Sequence, residues 1–193
     1  MLAHRKLILA SGSLRRQELL RGAGIEFEVY PADIPEDQKP GESPLEHGLR
    51  LAREKAEKVA RQFPREFVLG GDTIVVVDEK VLGKPVDKQD AARMLRLLSG
   101  RSHLVITAVS LISPGRPAET RSLATKVYFR TLQEDEIQEY VNGGEPMDKA
   151  GAYAIQGGAA RWVVRWEGDY SNVVGLPMPL VSEMLHTSGF LHS

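Results

Sequence analysis

The run FVLGGDTIVVVDEKVLGKP at 67–85 constrains this chain more than any other stretch. Phe67, Val68 and Leu69 read as a short apolar strand that breaks at Gly70-Gly71, and Ile74 to Val77 reads as a second, strongly β-prone run. Asp78-Glu79-Lys80 turns that run back, and Val81-Leu82 leads into Gly83-Lys84-Pro85. A hairpin of this shape brings the Asp72 carboxylate and the Lys84 ammonium within reach of each other. Two glycines beside an acid also permit close approach by another backbone or a ligand. An edge hairpin with a surface Asp–Lys pair satisfies the same pattern.

The rest of the composition narrows what such a hairpin can serve. With 193 residues, 42% of them hydrophobic, the chain has ample apolar material for the core of one compact domain, expected to span 1–193. A formal net charge of −1 gives no global pull toward nucleic acid or an anionic membrane, so anion binding has to be local. The absence of cysteine excludes disulfides and thiolate metal sites. The apolar run Leu7 to Ala10 is too short for a secretion signal or a membrane span, so a cytoplasmic location is expected, with no membrane and no nucleic-acid partner.

Leu7 to Ala10 predicts a buried strand, followed by Ser11-Gly12-Ser13-Leu14-Arg15-Arg16 and a helix that stops at Gly22 and Gly24. A strand, a Ser/Gly turn and a helix opening with two arginines is an anion-binding arrangement. The free N–H groups of the first turn and the helix dipole favour negative charge, and guanidinium groups grip phosphate oxygens in pairs. Ser13 as an ordinary cap with solvated arginines is the plainer alternative. Against it, cations in the first turn oppose the dipole.

Ile25 to Tyr30 alternates as a half-exposed strand. The loop at 31–42 holds Asp33, Glu36, Asp37 and Glu42, oxygen donors suited to a hard cation or simply to water. Ser43-Pro44-Leu45-Glu46 is a capping box, and Leu45, Leu49, Ala52, Ala56, Val59 and Phe63 mark the core face of the helix that follows. Lys55 lies beside that stripe, placed either to reach a pocket or to snorkel into water. Asp87 caps a third helix, His103 to Ile112 and Arg121 to Phe129 form strands, and Thr131 to Glu134 reads as a second capping box. The stretch at 143–160 is rich in Gly and Ala. Small residues there let backbone lie against a flat ligand, and the Gln156 amide can both donate to and accept from a base edge. Trp162 to Trp166 and Pro179 to Leu185 supply a last strand and a closing helix. The histidines at 4, 47, 103, 186 and 192 show no metal-ligand spacing. The order of elements predicts an α/β fold: a mixed, twisted sheet flanked by helices, with two lobes and a central cleft.

Six segments together resemble the Maf family of nucleoside triphosphate pyrophosphatases. They are LASGSLRRQELL at 9–20, GGDTIVV at 70–76, LGKP at 82–85, SGRSHLVITAV at 99–109, EPMDKAGAYAIQGGAA at 145–160 and GDYSNVVGLP at 168–177. The resemblance implies a Maf/ITPase-like fold and hydrolysis of a nucleoside triphosphate between its α- and β-phosphates, assisted by a divalent cation such as Mg²⁺, Mn²⁺ or Co²⁺. It implies Asp72 as proton acceptor or metal holder and Lys84 as its catalytic companion. It implies Arg15, Thr73 and Gln156 in substrate choice, Ser11, Ser13, Arg16 and Lys55 as further substrate-binding groups, and Glu36 beside Asp72 at the metal. It also implies a homodimer.

AGAYAIQG, with the double arginine, is similar to the branch acting on dTTP, UTP and modified pyrimidine nucleotides. A branch preferring 7-methylguanosine triphosphate differs at these places. A nucleotide-sensing module tied to septum formation is the alternative outside enzymes. Leu14 stands where the family usually has Pro, and Pro35 where an acid is common. The chemistry agrees with the residues: a triphosphate carries about four negative charges, so a chain near neutrality has to gather its cations at one place.

Overall fold

The computed structural model describes residues 5–191. His4 and His192 lie outside the described residues. Seven strands form one mixed sheet: β1 (Leu7–Leu9), β2 (Glu28–Val29), β3 (Phe67–Val77), β4 (Lys80–Leu82), β5 (Ser102–Ile112), β6 (Glu119–Phe129) and β7 (Val163–Glu167). The strand order is β2-β1-β3-β5-β6-β7, with β4 paired to β3. The helices are α1 (Leu14–Gly22), α2 (Pro44–Ala60), α3 (Lys88–Leu98), α4 (Glu134–Asn142), α5 (Tyr170–Val174) and α6 (Met178–Ser188). The chain forms two compact units. Among the described residues, one holds 5–72, Thr107–Leu123 and 175–191; the other holds Thr73–Ile106 and Ala124–Val174.

In the first unit, β1 pairs in parallel with both β2 and β3. A central parallel strand must be apolar on both faces, and β1 is. Leu7 and Leu9 pack with Leu69, with Leu20 of α1 and with Val181 and Met184 of α6. Ile8 and Ala10, on the opposite face, pack with Val68 and with Ala56 and Val59 of α2. Ser43 caps α2 by the expected box: its Oγ accepts from Glu46 N, and Glu46 Oε2 accepts from Ser43 N at 2.8 Å.

Three expectations change here. The half-exposed strand at 25–30 contracts to Glu28–Val29, because its only partner among the described strands is the three-residue β1. Gly70-Gly71 does not break the strand; β3 runs unbroken from Phe67 to Val77. A Cβ on Gly70 would stand 2.5 Å from Ala52 O and 2.8 Å from Ala56 N, so the missing side chain is what lets the α2 backbone lie on the strand. The buried face of α2 is also rotated: Leu45 is exposed, whereas Gly48, Leu51, Ala52 and Lys55 face inward.

In the second unit, the hairpin forms as predicted, with Val77 opposite Lys80 and Val75 opposite Leu82. Asp78 and Glu79 both take positive φ (49° and 61°), the conformation that two-residue hairpin loops require. Asp87 caps α3, accepting from Asp90 N at 2.7 Å. The start of α4 departs from the expected box. Gln133 N donates to Glu136, while Glu134 pairs instead with Arg96 of α3. His103, Phe129, Tyr153, Trp162 and Tyr140 form a chain of edge-to-face rings. Burial holds the His103 imidazole neutral, its pKa down to about 4, and raises that of the Tyr153 hydroxyl bonded to it at 2.7 Å. The short helix α5 is an addition to the expected elements, capped by Asp169, which accepts from Asn172 N at 2.7 Å.

Candidate active site

Two groups of side chains in the first unit bring charged groups together. The first surrounds the start of α1. Ser13 is extended at φ −62°, ψ 116°, and its Oγ accepts from Arg16 N, so the expected cap is present. Leu14, the first residue of α1, is 69% exposed. Arg16 points inward and is only 9% exposed. Its Nη1 donates to Ser11 Oγ at 3.0 Å and its Nε to the carbonyl of Gly175 at 2.7 Å. Ser11 Oγ also accepts from Ser13 N at 3.3 Å. Burial pushes the Arg16 pKa down and the neighbouring Arg15 charge adds to this, while Asp72 and Glu36 oppose it. Two cations at a helix start, one of them desolvated, make a site in which an anion is stabilised strongly.

The second group is built on α2 and β3. Lys55 is drawn into the buried face of α2, 8% exposed, and its Nζ lies 2.7 Å from Asp72 Oδ1 and 2.7 Å from Glu36 Oε1. It neither snorkels nor sits beside the stripe. Asp72, 7% exposed, comes from β3 just after the glycine pair. Glu36 comes from the loop at 31–42, which is pinned to α2 on either side of it. Arg50 Nη2 donates to Asp37 O at 2.9 Å, and Lys58 donates to Asp33 O. Glu42, one of the loop acids expected as a cation donor, is instead a clasp. Hydrogen bonds from Arg50, aided by His47, hold its carboxyl down to about 2.

Two carboxylates turned onto one positive nitrogen fit a divalent cation, because Mg²⁺-type ions take one or two carboxylates and complete their shell with phosphate oxygens and water. No group of three or more His, Cys, Asp or Glu side chains placed to hold a metal ion occurs among the described residues, so Asp72 and Glu36 would hold such an ion together with the substrate.

The remaining expected residues belong to the second unit. Thr73 is the half-buried residue after Asp72 on β3. Lys84 is exposed in the bend beyond β4. Gln156 is exposed on a turn before the 3₁₀ segment Gly158–Trp162. Lys55 Nζ donates to Asp72 Oδ1 at 2.7 Å. Gly175, whose carbonyl accepts from Arg16, is not one of the expected site residues. The available signal was the Gly-Leu-Pro punctuation ahead of α6.

The fold is a mixed α/β fold like that of the Ham1 protein. The structure of the Staphylococcus aureus Ham1 protein aligns with a TM-score of 0.52 over 95% of this chain and 99% of that one, at 13% identity, a likeness of fold alone. The chain belongs to the family described as Maf-like protein, which it matches over residues 6–188. It is 52% identical to a dTTP/UTP pyrophosphatase of Koribacter versatilis, over 96% of this chain and 95% of that protein. It is 50% identical to a dTTP/UTP pyrophosphatase of Geobacter metallireducens, over 96% and 97% respectively.

Proposed function

We propose that this chain is a nucleoside triphosphate pyrophosphatase that converts dTTP and UTP to the monophosphate and pyrophosphate. The observation that carries the reading is the buried Lys55 ammonium shared by Asp72 and Glu36, 2.7 Å from each. The Asp72 carboxylate and the Lys55 ammonium are nearly buried there and Glu36 reaches them from the exposed loop, in a member of a family two of whose relatives at about half identity bear that name. Water attacks the α-phosphorus, Asp72 takes the proton, the bond from the α-phosphorus to the bridging oxygen breaks, and pyrophosphate leaves with the electron pair.

Arg16, fixed by Ser11 and Gly175, stabilises the charge that accumulates on the phosphates, and Arg15 and Ser13 complete the grip at the start of α1. Lys55 orients the two carboxylates. Lys84, Thr73 and Gln156 join them in this proposal, Lys84 on the phosphates and the other two in base choice. A divalent cation held by Asp72 and Glu36 would supply Lewis-acid neutralisation of the leaving phosphates and a lower pKa for water.

Turnover of dTTP in ¹⁸O-water decides the matter. Label in the monophosphate and not in the pyrophosphate is the expected result, with Mg²⁺, Mn²⁺ or Co²⁺ added. Silence with all three would end the reading.

A further inference from the structure

We propose that Glu145 is a positioning residue that sets base selection through Gln156, whose turn it clasps by way of the backbone at Gly158 and, through Tyr140, at Ala154. The proposal rests on the pyrophosphatase reading and names how one site in it is shaped. Glu145 Oε1 accepts from the Tyr140 hydroxyl at 2.9 Å and from Gly158 N at 3.1 Å, and its Oε2 lies 3.2 Å from the same N–H. The Tyr140 oxygen accepts in turn from Ala154 N at 3.3 Å. The carboxylate thereby ties down the chain two residues before and two residues after Gln156.

Gly157 makes room for it. A Cβ there would lie 1.7 Å from Glu145 Oε1, inside the carboxylate itself, and its φ of −109° is one that any residue adopts. The glycine is therefore required by the clasp and not by the turn. An exposed glutamine on an unclasped Gly-rich turn would sample many positions. Held at both flanks, it presents its amide in one direction, and one direction is what discrimination between a carbonyl and an amino group on a pyrimidine needs. A shift of about 1 Å in such a group costs about 10²-fold.

The test uses the full chain with Glu145→Gln and with Gly157→Ala, which attacks the same contact from the opposite side if the first variant fails to fold. Amide exchange of Gly158, followed by NMR without nucleotide, is expected to be slow in the unaltered chain and about tenfold or more faster in either variant. The ratio of kcat/KM for dTTP to that for dCTP is expected to fall about tenfold or more. In a Gln156→Ala background, Glu145→Gln is expected to leave that ratio where it was. Equal loss on both nucleotides, an unmoved ratio, an unprotected Gly158 amide, or the same further fall without Gln156 overturns the role of Glu145 while leaving the enzyme intact. Absence of dTTP turnover in the unaltered chain sinks the pyrophosphatase reading itself, and this role with it.

Discussion

Lys55 and Asp72 form a nearly dry ion pair, Nζ to Oδ1 2.7 Å, with both side chains about nine-tenths buried. Removing one partner of such a pair strands the other in a poor solvent for charge. Lys55→Met is expected to leave Asp72 and Glu36 without their shared cation. Stability should fall by about 3 kcal/mol or more at neutral pH, and turnover should fall with it. Urea unfolding at pH 7 measures the first, and an unchanged midpoint would show that the pair contributes nothing.

Asp72→Asn keeps the shape of the side chain and removes its ability to take a proton. Turnover of dTTP should drop by about 10²–10⁴-fold, and the thermal midpoint should fall less than in Lys55→Met, because Glu36 still pairs with the Lys55 ammonium. Near-normal pyrophosphate release would remove Asp72 from the chemistry.

Arg16→Lys preserves charge and deletes the Nε–H that reaches Gly175 O at 2.7 Å. The guanidinium plane is what a lysine cannot reproduce. A loss of about 1.5–3 kcal/mol in transition-state binding is expected, read from kcat/KM for dTTP. Gly175, at φ 132°, is strained by any side chain. Gly175→Ala should therefore lower kcat/KM in the same direction, and much less so once Arg16 is already lysine.

Gly70→Ala puts a methyl group 2.5 Å from a helix carbonyl that cannot swing aside. Overpacking of this kind costs about 1–3 kcal/mol. A lower urea midpoint with an unchanged m-value is the expected result, and full stability would mean that α2 moves off the strand freely.

Much of this fold could be read locally. Strand β1, the capped starts of α1, α2 and α3, and the hairpin at 78–79 each rest on signals within a few residues, and each formed where expected. The misreadings share one cause, which is that their signals are tertiary. Gly70-Gly71 resembles a break until the α2 backbone is laid on it. Lys55 resembles a surface lysine until Asp72 and Glu36 draw it inward, which also turns Leu51 inward and Leu45 out. The residues proposed for the chemistry came from likeness to a family. The way Ser11, Arg16 and Gly175 meet depends on chain segments more than 150 positions apart, at sequence separation 159 for Arg16 and Gly175, and no local pattern encodes it.

His103 offers a test by acidity. Its folded pKa is down near 4 against an ordinary value of 6.5, so between those limits the unfolded chain binds the proton and the folded one does not. Its contribution is complete above about pH 6.5 and is lost as the pH falls toward 4, a change of order 3 kcal/mol at most. Thermal midpoints taken from pH 7 to pH 4.5 should decline, and His103→Gln should flatten the decline. Parallel curves would show that the imidazole is not responsible.

The bare seam at Gly70 has a consequence for how this site tolerates change. Two residues further along β3 stands Asp72, and one turn along α2 from the touching atoms of Ala52 stands Lys55. The spacing between acid and ammonium is thus gauged by main-chain atoms, which substitution leaves in place. Side chains around the seam can drift from one lineage to another while the gauge holds its setting, provided that one position never acquires a methyl group.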